Sequence, residues 1–344
     1  MSRTYIIAEM AWAHDGSVEK ALKIMKSAKE AGADAIGIHI TDLESYMVPY
    51  YGNGEGKLSA GRETADVYKY LASINLSREN WADFGRQARR EGIALCVMPN
   101  DMNSLEFAEK ELAPEMYVLP AASFVEGDFL REVALKKRKT LFRIGGAYIG
   151  EIEKAVNTFS AHGNADVVLL HGIQMYPTKL EETNIAFLRT LRGLFGKEVG
   201  LADHIDGGSP LAKVIPLLAI AYGASYIEKH ITFNRQEKGE DFESALDPGD
   251  FREFTDFVRA AETAIGDPAY AGLSPDHLKY RGVVRKKIVA SREIRAGETI
   301  GREMLAFKRC DTGLEPDGLA AVLGRKAAVK ISRDETVTPE KLGD

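Results

Sequence analysis

Along most of the chain, short runs of consecutive apolar residues alternate with longer stretches in which apolar residues recur every three or four positions. The runs are Tyr5–Glu9, Ala35–Ile40, Ala94–Met98, Met116–Pro120, Thr140–Ile144, Val167–His171, Val199–Ala202 and Tyr226–Ile231. A strand with one wet face alternates polar and apolar side chains. A run that is apolar throughout reads as a strand covered on both faces, as in a parallel sheet flanked by helices. Between the runs, Val18–Glu30 carries Val18, Ala21, Leu22, Ile24, Met25 and Ala28 at helical spacing and stops at Gly32. Arg78–Glu91, Asn103–Leu112, Gly150–Ala161, Glu181–Gly193, Pro210–Tyr222 and Asp250–Ile265 read the same way. Eight strands alternating with helices predict an α/β fold, a (β/α)8 TIM barrel. The competing doubly wound sheet is disfavoured, because no GxGxxG follows the first strand.

After Ile265 the pattern breaks. Gly266-Asp267-Pro268 to Ser274-Pro275 is punctuated by glycine and proline, and Val283–Ser291, Glu298–Ile300, Phe307–Arg309 and Ala327–Ile331 are short strand-like pieces. The expected organisation is a barrel over 1–268, a linker over 269–284 and a small β-rich domain over 285–344.

Composition narrows the classes. Of 344 residues, 45% are apolar and 28% charged, and no apolar run reaches the length of a membrane span, so an integral membrane protein is excluded. The opening Met1-Ser2-Arg3-Thr4-Tyr5 lacks the basic and long apolar regions of a secretory signal, and only Cys96 and Cys310 are present, far apart, which together read as cytoplasmic. The net charge of −6 is uneven: residues 281–344 carry 14 Lys and Arg against 10 Asp and Glu, leaving 31 against 41 in the rest. The basic tail contains no Lys/Arg block and has the alternation of a folded domain, so nucleic acid is not the expected partner.

In a TIM barrel the chemistry sits where strands end. Glu9, His14, His39, Arg143, His171, Asp203, His204, Glu228, Lys229 and His230 fall at such ends, including five of the seven histidines. His171, within Leu169-Leu170-His171-Gly172, reads as a hydrogen-bonded rim residue. His204 and His230 end adjacent strands and could share one divalent ion, each oriented by a carboxylate such as Asp203 or Glu228. Two imidazoles suit Mn, Fe, Co or Zn, so the spacing does not name the metal.

The quoted segments resemble the sialic acid synthases, the N-acetylneuraminate synthase (NeuB-type) family. Ile6-Ile7-Ala8-Glu9 with His14-Asp15-Gly16, Tyr176-Pro177-Thr178, Gly200-Leu201-Ala202-Asp203-His204, Ile227-Glu228-Lys229-His230-Ile231-Thr232, and Asp241 with Leu246-Asp247-Pro248 follow in family order. Ala296-Gly297-Glu298-Thr299-Ile300, Lys308-Arg309 and Leu323-Gly324-Arg325-Lys326 look like the antifreeze-like (SAF) domain that closes such enzymes. The resemblance implies a transferase that condenses phosphoenolpyruvate (PEP) with an amino-sugar aldehyde to a nine-carbon 2-keto-3-deoxy acid, for surface polysaccharide. It also implies a divalent ion, Mn2+ or Mg2+, and a domain-swapped homodimer. By position it makes His204 and His230 the metal ligands and Glu9 the carboxylate beside sugar and water. Tyr176 and Asp241 become sugar contacts, and Arg309 the arginine that a tail lends to a partner subunit.

The chain departs from the family pattern where that family holds phosphate. Gly37-Ile38-His39 replaces Lys-Phe-Gln, Leu119 stands in place of a lysine, and Val97-Met98-Pro99 and Arg143-Ile144-Gly145 replace Ser-Thr-Pro and Ser-Thr-Gly. Three readings follow: a PEP-dependent synthase with its anchor rebuilt around Arg143, His39 and Lys229, with Glu228 also expected to bind substrate; a metal-assisted C–C bond enzyme using another carboxylated donor; or a non-catalytic sugar-binding homologue.

Overall fold

The computed structural model describes residues 3–50, 67–267, 269 and 271–344. Eight strands, β1 (Tyr5–Ala11), β2 (Ala35–Ile40), β3 (Ala94–Pro99), β4 (Met116–Pro120), β5 (Lys139–Arg143), β6 (Val167–His171), β7 (Glu198–Asp203) and β8 (Ala224–His230), form a closed barrel in sequence order. Every neighbouring pair is parallel, and β8 returns beside β1. The expected (β/α)8 barrel is what the chain forms.

Strand alternation divides the apolar runs into two cores. Ile6, Ala8, Ile36, Ile38, Leu119 and Leu169 pack outward with the helices. Ile7, Ala35, Met98, Val118, Leu141 and Leu170 fill the barrel. Both sets are buried, which is why the runs show no polar alternation.

The helices Val18–Glu30 and Arg78–Glu91 begin on Ser17 and Ser77, whose hydroxyls accept from the backbone N–H of Lys20 and Asn80. Among the stretches that differ from expectation, three lie in the barrel unit between β3 and β7. Met102–Phe107 is α-helical and continues as a π-turn over Ala108–Leu112. The helix expected from Glu181 begins only at Phe187, after Asn184 takes a positive φ of 38° that no helix interior accommodates. Gly127–Leu135 forms an unanticipated helix between β4 and β5, with Phe129, Leu130, Val133 and Ala134 buried.

Beyond the barrel unit Met1–Gly266, residues Asp267–Asp344 form a second compact unit; residue 268, the expected boundary, lies outside the described residues. The segment expected as a linker contains the helix Pro275–Val284, started by the Ser274 hydroxyl and by proline at its first turn. Strands β9 (Lys286–Ala290) and β10 (Leu305–Arg309) pair antiparallel. Glu298–Ile300 and Ala327–Ile331, expected as strands, make only isolated bridges, Thr299 to Lys326, Ile294 to Ile331 and Ala327 to Leu342. Ile288, Ile294, Ile300, Leu305 and Ile331 fill this unit's own core. Among the described residues no helix is long and apolar enough to cross a membrane.

Two glycines set how closely the strand ends approach at the barrel rim. A Cβ on Gly145 would stand 2.1 Å from the Gly172 carbonyl oxygen, and one on Gly172, where φ is 153°, 2.0 Å from that of Ala202. No methyl group fits against a backbone oxygen at that distance, so the segments after β5 and β6 touch each other, and the latter touches the end of β7, backbone to backbone. Gly145→Ala should lower stability by about 1–3 kcal/mol, the usual cost of overpacking. The check is a lower urea midpoint with an unchanged m value.

Candidate active site

Glu9, near the end of β1, is in register with Gly37 on β2 and His230 on β8. Its carboxylate points into the barrel, where its Oε1 accepts from the Ala11 backbone N–H at 2.7 Å. Arg143, the last residue of β5, reaches it from the opposite wall. The Arg143 Nη2 donates to Glu9 Oε2 at 2.5 Å and lies 2.8 Å from Glu228 Oε1, while its Nε donates to Glu228 Oε2 at 3.1 Å. All three residues are 3% exposed or less.

Two carboxylates and one guanidinium thus share a dry space. Burial, the largest influence, pushes the Glu9 pKa up; Arg143 pulls it back and Glu228 pushes it up again, to about 7. Burial opposes charge on Arg143 as well, but Glu228 and Glu9 outweigh it and hold the guanidinium ionised. Breaking such a pair by removing one partner typically costs about 3–5 kcal/mol, because the other charge is left stranded.

Beside this cluster, the imidazoles of His204 and His230 lie with ring centroids 5.2 Å apart. Both are buried and both have an Nε2 without a hydrogen-bond partner. The His204 Nδ1 sits 2.8 Å from the Ile173 carbonyl oxygen, which fixes its proton on Nδ1 and leaves the Nε2 lone pair free. The His204 carbonyl in turn accepts from the Thr178 N–H and the Ser244 hydroxyl, so the residue is pinned from three sides. Burial first, then the Arg143 charge, pulls the His204 pKa down to about 3; burial, His204 and Arg143 likewise keep His230 neutral. Neutral imidazoles with bare, buried Nε2 atoms fit a divalent ion as ligands. Among the described residues no group of three His, Cys, Asp or Glu side chains stands ready to enclose one.

The expected orienting carboxylates are not those of the sequence reading. Asp203 faces outward and pairs with the fully buried Lys229, and Glu228 belongs to Arg143, so neither orients an imidazole. Asp241 stands 3.8 Å from the His230 Nδ1, beyond hydrogen-bond reach. Lys229 is therefore unavailable as a phosphate anchor, since side chains alternate along β8 and it points away from Glu228 and His230. Arg143 is also committed. Leu119 is corrected too: it faces the helices, and Val118 is the inward residue of β4.

Tyr176 stacks edge-on against His204 at 4.7 Å and against His230 at 5.4 Å, which places it with the metal-ligand candidates. Burial pushes its hydroxyl pKa well up, as it pushes Asp241 up to about 8 with help from Glu240, Glu9 and Glu243. His39 has its Nε2 3.7 Å from Glu9 Oε1 and is kept neutral by burial and by Arg143. His171 is a rim residue whose Nε2 lies 2.9 Å from the Thr183 carbonyl and 3.1 Å from that of Asn184. His14 packs edge-on against Trp81, with its Nδ1 accepting from Gly16 N–H. Arg309 is in the second unit, where its guanidinium donates to the Val283 carbonyl.

A closed (β/α)8 barrel with an acid, an arginine and two bare imidazoles at the ends of its strands, followed in the chain by a small β-rich unit, defines a barrel enzyme class with a separate C-terminal domain. Residues 24–270 match the NeuB family and residues 285–343 the SAF domain. A pseudaminic acid synthase of Campylobacter jejuni is 32% identical over 96% of this chain and 94% of its own length. An N,N'-diacetyllegionaminic acid synthase of Legionella pneumophila is 27% identical over 98% and 94%. Among solved structures, an N-acetylneuraminic acid synthetase from Leptospira borgpetersenii in complex with citrate superposes with a TM-score of 0.70 at 23% identity, covering 82% of this chain and 93% of that one. The chain belongs to the NeuB family and ends in a SAF domain.

The raised pKa of Asp241 has a direction that can be measured. In the unfolded chain this carboxyl ionises near 3.8; in the native site it keeps its proton to about 8. Its contribution to stability is therefore complete at low pH and lost as pH rises through the native value. The opposite slope from His204 is spent above its ordinary value of 6.5. With a chelator present, the urea midpoint should fall between about pH 6.5 and 8.5, and Asp241→Asn should flatten that fall.

Proposed function

We propose that this chain is a cytoplasmic synthase of the NeuB type that condenses PEP with an N-acylated amino-sugar aldehyde, releasing phosphate and giving a nine-carbon 2-keto-3-deoxy acid for surface polysaccharide. The observation that carries this reading is the pair of neutral imidazoles with bare Nε2 atoms set beside the buried Glu9. The relatives' pseudaminic and legionaminic acid synthase names support this substrate class.

His204 and His230 would hold a divalent ion, Mn2+ or Mg2+. When bound, that ion supplies Lewis-acid polarisation of the aldehyde oxygen. The chain's own residues do the rest. Glu9, with a pKa near 7, can orient water or take and return a proton at neutral pH. Tyr176 and the protonated Asp241 present hydroxyls to the sugar, and Arg309 is assigned to the sugar site of a partner subunit in a swapped dimer. His39, neutral beside Glu9, would bond a polar group of the donor.

A second reading is favoured by one specific feature: both inward or rim cations offered by the sequence are already paired, Arg143 with Glu9 and Glu228, Lys229 with Asp203. A donor with a carboxylate and no phosphate would bring less negative charge to be matched than PEP. The deciding assay supplies Mn2+, an N-acylated amino sugar, and either PEP or pyruvate. Equimolar phosphate and 2-keto acid from PEP supports the first reading, 2-keto acid from pyruvate alone moves the assignment to the second, and no product from either sinks both for that sugar.

Two further outcomes are expected. His204→Ala and His230→Ala should each weaken Mn2+ binding at least about tenfold by calorimetry. Undiminished binding in both would remove the metal from the proposal. Sedimentation should show a dimer, with Arg309→Ala raising the sugar KM more than it lowers kcat.

A further inference from the structure

Gly37 is a glycine that its backbone does not need. Its φ lies outside the left-handed range, it sits in mid-strand, and a side chain there would face the barrel interior. What it leaves out is space. A Cβ at position 37 would stand 2.5 Å from Glu9 Oε2, 2.9 Å from the Glu9 carboxyl carbon and 3.1 Å from Oε1. The Glu9 carboxylate therefore occupies the volume that any other residue at position 37 would fill. The crowded oxygen, Oε2, is also the one that Arg143 binds.

Arg143 meets Glu9 from across the barrel. With Nη2 shared between Glu9 and Glu228 and Nε on Glu228, the guanidinium holds its own orientation through Glu228 and spends its remaining contact on Glu9. We propose that Gly37 and Arg143 act as one positioning unit for Glu9: the glycine provides the space into which the carboxylate turns, and the arginine holds it there beside the imidazoles of His204 and His230. Arg143 is then a positioning residue, and its charge is not spent on an incoming anion. Neither residue touches substrate in this assignment.

The test is a pair of double-mutant cycles on the full chain. Gly37→Ala should lower kcat by about 10²-fold, the scale of a displacement near 1 Å in a catalytic group, with the KM for the sugar unchanged. It should also lower the unfolding midpoint. In a Glu9→Ala background, where the crowded carboxylate is gone, Gly37→Ala should change neither kcat nor midpoint. Arg143→Lys should reproduce the kcat loss of Gly37→Ala, and the two together should cost no more than either alone, as expected for residues acting through one partner.

Additive losses, a Gly37→Ala enzyme with full kcat, or an effect confined to KM would each overturn the proposal. If Gly37→Ala fails to fold while Gly37→Ala/Glu9→Ala folds, the crowding is demonstrated directly. The turnover arm rests on the proposed function, whereas the midpoint cycle uses no substrate. An inactive native chain would thus refute the function and leave the positioning unit to be judged by the midpoints alone.

Discussion

A charged bridge across the inside of a closed barrel is the interaction around which this site is arranged. Arg143 extends from β5 to Glu9 on β1 and Glu228 on β8, so that three strands on opposite walls are tied through one guanidinium. In a low-dielectric interior such a bridge tolerates no missing member, since each partner is costly to bury alone. Its demands spread outward. Gly37 must be small, the strand register must bring Glu9 level with His230, and the positive charge at the centre helps keep the neighbouring imidazoles neutral.

The alternation of side chains along β8 organises the chemistry into two layers. Glu228 and His230 face the barrel interior, while Lys229, between them, turns outward to Asp203 and the Ile205 carbonyl. Three consecutive residues of one strand thus serve the inner site and an outer ion pair in turn. An outward lysine–aspartate pair under the helices holds β7 and β8 together just below the two imidazoles they present. Its value lies in fixing the strand ends rather than in offering charge to a ligand.

The fold was legible because parallel strands sealed on both faces leave uninterrupted apolar runs. That same uniformity hid the inside from the outside. Val118 and Leu119 are both apolar and both buried, so their chemistry does not say which one faces the mouth, and only the strand parity does. The helix Gly127–Leu135 carried a readable signal in Phe129, Leu130, Val133 and Ala134, but it is short and opens on glycine without a side-chain cap. In the site, the residue types stood out at the strand ends, whereas their partners did not. Arg143 and Glu9 are 134 positions apart, and His204 is oriented by a backbone carbonyl, which no side-chain motif records.

The fit between Gly37 and Glu9 also constrains how this chain can change over time. While Glu9 leans on Arg143, the first carbon of any new side chain at position 37 collides with it, whatever group that side chain carries at its tip. A useful charge at position 37 is thus unreachable by one step: the clash comes before the benefit. The route to a lysine there runs through prior release of Glu9, and release of Glu9 costs Arg143 the carboxylate that ties it to β1. The barrel mouth is in this sense a historical lock, in which two residues that never bond to each other can be exchanged only together.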